Sequence, residues 1–395
     1  MVTKRARLWV RRGATLAVSA VVIALAAAIW LLSSLIGESL LAVEAPEPDF
    51  DIVVGLRTAR TIRLPLTDET ARDGTWGLDF RGGWARVGPV LDVSNDTVLR
   101  RLESVNGTIR RSTVADFVPH IGSDPADSGI QFTEVLLEST LGTFSAWEVA
   151  GADDTWIVVI HGHSEGRRQT LSALPALAGA GFPVLVPTYR NHEAAPQTES
   201  GRFSLGVGER REIEAALEYA FLSGARDVVL YAYGTGSTVV GDVLHESPWA
   251  DLVVGVVLDS PVLDPGAAVD FDASERNVPG FVIGWAKALA TLRFGIDWSA
   301  VDQVQRAAEW MTPVLVVHGD ADSVAPIRSS RDFAEALPGL VTLVEVEGGV
   351  HGAVWNADPA RYEAAVLQFL GGVAEGPSDL DPIDPEEIAR RAERS

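Results

Sequence analysis

The chain has 395 residues, 47% hydrophobic and 22% charged, enough apolar material for one large domain or two smaller ones. It has no cysteine, which excludes disulfides, thiolate catalysis and cysteine–zinc sites. Its net charge of −22 argues against nucleic-acid binding or adhesion to anionic surfaces.

Residues 1–12 form a basic N-terminus carrying Lys4, Arg5, Arg7, Arg11 and Arg12. Residues 13–37 carry no charge. At about 1.5 Å per residue this run is long enough to cross a hydrocarbon core of about 30 Å. Glu38, Glu44, Glu47, Asp49 and Asp51 follow it. The charge asymmetry places the N-terminus in the cytoplasm and the chain beyond about residue 38 outside, with Trp9 near the inner boundary. The expected location is therefore the cell membrane, single-pass, with an extracytoplasmic part of charge about −27. A cleaved signal peptide is the alternative, but its apolar region is usually only about 7–15 residues.

Residues 38–50 read as a stalk, with Pro and Glu in LLAVEAPEPDF. Residues 51–131 show short β-like runs at 52–54, 61–64, 84–87 and 97–99, punctuated by Gly74, Gly77, Gly82 and Gly83. They form a small β-rich accessory region without a catalytic motif.

From residue 132 to 373 the pattern changes. A hairpin is expected over 134–138 and 143–150, then apolar strands over 156–160, 183–187, 227–232, 252–258, 313–317 and 341–346. Helical spacing lies between them, at 170–180, 209–222 and 328–337. Continuous apolar strands alternating with helices predict an α/β fold, a mostly parallel, doubly wound sheet with helices on both faces. Residues 261–311 interrupt the alternation and predict a lid containing an amphipathic segment at 281–292. Residues 374–395 are acidic and read as a mobile tail.

Ligands of such a sheet gather outside the carboxyl ends of its strands, and three segments there carry candidate chemistry. Ala232-Tyr233-Gly234-Thr235-Gly236 has the strand–turn–helix context of a G-x-S-x-G nucleophile elbow, with Gly234 at the nucleophile position. The hydroxyls of Thr235 and Ser237 stand nearby, but only the apex of such a turn points its side chain into the site. His161-Gly162-His163-Ser164 follows the strand at 156–160 and offers the His163 N–H as one oxyanion donor, the Thr235 N–H being the other. A plain turn capped by Ser164 is the alternative. Asp322 and His351, after the last two strands, are spaced to form a carboxylate–imidazole pair. Asp320 is the weaker acid candidate, and His318 reads as structural. No metal or nucleotide motif is present, so no cofactor is expected.

The stretches WIVVIHGHSEG, GFPVLVPTYRNH, VVLYAYGTGS, VVLDSPVLD, PVLVVHGDADSVAP and VEGGVHGAVWNADPARY, spanning about 133–370, resemble the α/β-hydrolase family, in particular bacterial serine hydrolases of the lipase, esterase and peptidase type. The resemblance implies an α/β-hydrolase fold, hydrolysis of ester, acyl or peptide-like substrates, Asp322 and His351 as triad partners, and the backbone of His163 and Thr235 as oxyanion hole. The departures are Gly234 at the serine position and Ala232 at the first elbow glycine. Two readings follow. One is a hydrolase whose activity is reduced, non-covalent through His351–Asp322, or absent. The other is a pseudohydrolase that binds a ligand or partner at the cell surface. The expected partners are the membrane, through the anchor, and a small-molecule or acyl ligand.

Overall fold

The computed structural model describes residues 4–43, 50–374 and 383–395. The expectations for residues 1–3, 44–49 and 375–382 lie outside the described residues.

Helix α1 (Lys4–Leu41) is rich in Ala, Leu and Val and free of proline. Its part Ala14–Leu41 is long and apolar enough to cross a membrane. The C-terminal end of α1 does not open into a free stalk, contrary to expectation. Leu40, Leu41 and Val43 are buried in the main core beside Phe203 and Leu205, and the Phe203 N–H donates to the Leu41 carbonyl at 2.9 Å. The acidic, proline-bearing composition that suggested a stalk begins only at Glu44; the apolar residues before it belong to the domain.

Strands β1 (Ile52–Val53), β2 (Thr61–Pro65), β3 (Trp76–Phe80), β4 (Gly83–Ser94), β5 (Thr97–Asn106) and β6 (Val114–Val118) form an antiparallel sheet in the order β1-β6-β3-β4-β5-β2. Alternation is clearest in β2, where Ile62 and Leu64 point inward and their neighbours outward. The inward faces gather Ile52, Leu78, Phe80, Val87 and Val98 into one core, which also takes in Ala353 from the second sheet's territory. Arg100 crosses this region fully buried. Its guanidinium donates to the carbonyls of Gly88, Thr70, Arg72 and Gly74. Those bonds satisfy a charge that burial otherwise penalises and fix the 70–74 loop.

The second sheet holds β7 (Thr133–Ser139), β8 (Gly142–Val149), β9 (Thr155–Ile160), β10 (Val184–Pro187), β11 (Asp227–Tyr233), β12 (Val253–Asp259), β13 (Val314–Gly319) and β14 (Val341–Val346). Their order is β14-β13-β12-β11-β9-β10-β8-β7, parallel except where β8 pairs with β7 and β10. Every residue of β9, β10, β11 and β13 is buried, as strands covered on both faces require. Helices α3 (Arg210–Leu222) and α4 (Gly236–Glu246) cover one face, while α2 (Leu174–Gly179) packs on the other. The helix expected over 170–180 is split into a 3₁₀ turn, Arg167–Ser172, and α2, with Pro175 in the first turn of α2, where a missing N–H is tolerated. Between β12 and β13 lie α5 (Pro265–Glu275), α6 (Gly280–Phe294) and α7 (Trp298–Val301), which make up the lid segment. Helix α8 (Ile327–Ala336) joins the first face, and α9 (Val354–Ala357) and α10 (Pro359–Ala374) the second.

The described end of the chain corrects the mobile-tail expectation. Helix α11 (Pro385–Ala392) is capped by Asp384, buries Ile388 in the main core and ties Arg391 to Asp251. The Trp249 indole donates to the Ser395 hydroxyl at 3.0 Å. One well-placed isoleucine and a cap were enough to dock a segment whose composition is otherwise polar.

Candidate active site

Register brings the carboxyl ends of the parallel strands to one edge: Ala232 pairs with Ile160, Tyr233 with Asp259, and Gly319 with Val346. The loops that follow therefore converge. Gly234 forms the turn between β11 and α4 with φ of +50°, a region that side chains other than glycine enter at a cost. Its N–H donates to the Asp259 carbonyl at 2.9 Å, and its carbonyl accepts from the Ser237 hydroxyl at 2.7 Å. Two residues on, a Cβ on Gly236 would lie 2.8 Å from the Ile160 carbonyl, so glycine permits α4 to start directly against β9.

A Cβ built on Gly234 would lie 3.3 Å from His351 Nε2 and 3.7 Å from Cε1. His351 Nδ1 donates to Asp322 Oδ2 at 2.8 Å, an orientation in which the neutral imidazole offers Nε2 as the acceptor facing Gly234. Asp322 is held from several sides. Its Oδ1 accepts the N–H groups of Val324 and Ala325, both at 2.8 Å, and Oδ2 also accepts from His318 Nε2 at 3.1 Å. Burial alone would raise its pKa, but the hydrogen bonds and charges of His318 and His351 hold the carboxyl well below the usual carboxylate range. His318 is buried, with Nδ1 2.7 Å from the Ser330 hydroxyl. It is a second imidazole on the acid, beyond the purely local role read from sequence.

The two candidate rescue hydroxyls are both committed. Ser237 is spent on the Gly234 carbonyl. Thr235 Oγ1 accepts the His163 backbone N–H at 2.9 Å and meets His163 Nδ1, also at 2.9 Å. The expected oxyanion donor of His163 is thus engaged by the side chain of the other oxyanion residue. The His163 ring stacks on Phe203 with centroids 5.4 Å apart and lies near the backbone of Ser39 at the end of α1. Burial lowers its pKa to about 4, so the ring is neutral at physiological pH.

Residues 52–117 match a family model described as a domain of unknown function, DUF8805. Comparison with curated proteins finds no match. Among solved structures, the esterase Pf2001 of Pyrococcus furiosus aligns in one crystal form with a TM-score of 0.50 and 16% identity, over 64% of this chain and 97% of the esterase. In a second crystal form the values are 0.52 and 16%, over 64% of this chain and 95% of the esterase. The chain has the α/β-hydrolase fold.

In this α/β-hydrolase-fold protein the loops around His351 are braced by groups that sequence reading did not single out. Asp259, fully buried at the end of β12, accepts from the hydroxyls of Tyr362 at 2.6 Å and Ser260 at 2.8 Å. Tyr362 in turn meets the Tyr231 hydroxyl. Burial pushes the Asp259 carboxyl up to about 6, against the pull of those hydroxyls. Ser260, at φ of +48°, accepts the Gly352 N–H at 3.2 Å and so clips the loop that carries His351. Asp320 does the same from the other side, accepting the Gly348 N–H at 2.7 Å.

The first sheet buttresses the α/β-hydrolase-fold domain at two of these loops. Asn356, just beyond His351, donates to the carbonyls of Thr75 and Pro119 at 2.7 and 2.8 Å. Arg168, beyond the His163 loop, holds both carboxylate oxygens of Asp79 at 3.1 and 2.8 Å. His120 pairs with Glu165 at 3.0 Å, beside His163. The only sequence signal for Asp259 was an acid ending an apolar strand in VVLDSP; the pairs from the first sheet left none.

Proposed function

We propose that this is a single-pass membrane protein whose extracytoplasmic α/β-hydrolase-fold domain has lost covalent acyl transfer and is retained as a ligand-binding or partner-binding module. One observation carries the reading. Gly234 presents no nucleophile to a well-oriented His351, and the adjacent Thr235 hydroxyl takes the His163 N–H that a tetrahedral oxyanion would need. Loss of a triad nucleophile lowers turnover by about 10⁶, and each missing oxyanion donor by about 10²–10³. The anchor is supported by α1, the charge asymmetry around it and the burial of its outer end in the domain.

A second reading is favoured by one distance. His351 Nε2 lies 3.3 Å from the position a serine Cβ would take, which is close to hydrogen-bonding range for a water filling that space. In this reading Nε2 takes a proton from that water, the hydroxide attacks an ester carbonyl, and the imidazolium returns the proton to the leaving alkoxide while Asp322 stabilises the charge. A panel of short acyl esters and a fluorophosphonate probe, applied to the wild type, Gly234→Ser and His351→Ala, separates the two. Labelling confined to Gly234→Ser with an inert wild type supports the binding module. Wild-type turnover that disappears in His351→Ala overturns it in favour of general-base hydrolysis.

A further inference from the structure

The lid helix α6 carries an apolar stripe that no part of the described chain covers. Phe281, Trp285 and Leu292 are 63%, 65% and 83% exposed, and Gly284 and Ala288 complete the same face. The spacing i, i+4, i+7, i+11 puts them in one line along the helix. The opposite face is the packed one, where Val282, Ile283, Ala286 and Ala290 are buried. Both cations of α6 are turned away from the stripe. Lys287 pairs with Asp270 at 2.7 Å. Arg293 lies 4.0 Å over the Trp30 ring and donates to the Ser33 and Ser34 hydroxyls of α1 at 3.2 and 2.9 Å.

That last contact sets the height of the C-terminal end of α6. The uncharged run of α1 begins at Gly13, and about 20 helical residues span a hydrocarbon core of about 30 Å. The outer hydrocarbon boundary therefore falls near Ser33, where Arg293 docks. The two helices approach closely there, since a Cβ on Gly37 would lie 2.4 Å from the Phe294 ring. Trp30, Leu31 and Leu35 of α1 are exposed at the same level. Tryptophan at this depth is favoured by its amphipathic ring.

Resting on the reading of α1 as a membrane anchor, we infer that α6 is seated in the outer leaflet of that membrane, its Phe281–Trp285–Leu292 stripe in contact with lipid at the boundary of headgroups and acyl chains. The occupant is lipid because α6 packs beside a helix whose apolar residues 14–28 are exposed on every side. Anionic headgroups do not drive the contact: the protein outside α1 is strongly acidic, and neither cation of α6 faces outward. The seat is built from apolar area, as in interfacial helices that lie about 5–10 Å into the boundary. The lid is then fixed at the bilayer surface by the anchor beside it.

The absence of cysteine makes the test direct. Full-length protein carrying Trp285→Cys or Leu292→Cys is labelled with a nitrobenzoxadiazole fluorophore and placed in zwitterionic phosphatidylcholine nanodiscs, with nitroxides at shallow or deep acyl positions. Val22→Cys, on the exposed surface of α1, reports the anchor, and Leu136→Cys, an exposed position on β7, reports bulk solvent. The expected result is about a twofold loss of emission from shallow nitroxides at 285 and 292, deep quenching at 22 and none at 136, unchanged by added salt. Quenching at 22 with positions 285 and 292 behaving like 136 overturns the inference and leaves the anchor standing. No quenching at 22 removes the anchor itself, and the inference with it. A blue-shifted but unquenched probe at 285 or 292 means that protein, such as a second copy of the chain, covers the stripe, and also overturns it.

Discussion

Gly234→Ser restores the one atom the site lacks, and the structure sets what that is worth. At φ of +50° a side chain adds about 1–2 kcal/mol of backbone strain, so the melting temperature falls by a few degrees. The new Cβ sits 3.3 Å from His351 Nε2, tighter than an ordinary contact, and the imidazole, which is partly exposed, has room to yield by a few tenths of an ångström. The hydroxyl then lies beside a base already oriented by Asp322. A complete triad nucleophile is worth about 10⁶ in turnover. The Thr235 hydroxyl still holds the His163 N–H, which forfeits about 10²–10³ of that. Hydrolysis of p-nitrophenyl acetate by detergent-solubilised full-length Gly234→Ser protein is therefore expected to rise about 10³–10⁴-fold over wild type. Intact mass should show a single fluorophosphonate adduct, and peptide mapping should place it at position 234. Adding His351→Ala removes the gain, and adding Thr235→Ala raises it further by about tenfold or more as the His163 N–H is freed. A folded Gly234→Ser protein that is neither labelled nor active refutes the account of the site, as does a wild type that is already equally fast.

Asp259→Asn isolates the buried carboxyl under His351. Its folded pKa is raised from the ordinary 3.8 to about 6, so the native protein favours the protonated form. Its stabilising share is full below about pH 4 and is lost as pH rises through 6, and the stability of wild type relative to Asp259→Asn should drop by roughly 3 kcal/mol between pH 3.5 and 7 in urea titrations. Asp322 works in the opposite direction: its folded pKa is depressed, so its contribution is present above about pH 4 and fades as pH falls below that, and Asp322→Asn flattens this acid limb. Arg100→Met strands buried carbonyls of Thr70, Arg72, Gly74 and Gly88 and is expected to lower stability by about 3 kcal/mol or more, read as a lower melting temperature and faster proteolysis of the 70–75 loop. Removing residues 383–395 uncovers the site of Ile388 and unpairs Trp249, for a loss of about 2–3 kcal/mol by the same measurement.

The central parallel strands were legible because they are buried on both faces, so β9, β11 and β13 read as almost unbroken apolar runs. The hairpin β7–β8 was equally plain. Strands β3 and β6 were missed because WGLDF and VADFV interrupt their apolar residues with Gly and Asp, and their pairing is with distant partners. The C-terminal end of α1 and helix α11 were misjudged for one reason: composition reports average polarity, whereas docking depended on a few residues, Leu40, Leu41, Val43 and Ile388. At the site, motif spacing led to Gly234, Asp322 and His351, which the fold brings together. It did not reveal that Thr235 would turn its hydroxyl onto His163, because a rotamer is settled by neighbours from another loop. Nor did it reveal Asp259–Tyr362 or His120–Glu165, since no periodicity links residues so far apart in the chain.

The end of α1 completes the core around Phe203 and Leu205 and reaches the His163 ring through Ser39. With α1 as the proposed membrane anchor, such a protein has a tether without slack. Sliding the helix along the bilayer normal would drag residues out of the domain's interior, so the domain holds its distance and tilt above the bilayer and cannot sample the wide arc that a flexible leash allows. Proteolytic shedding would leave an unfilled apolar cleft beside His163, and bilayer thickness would pull directly on the backbone that touches it.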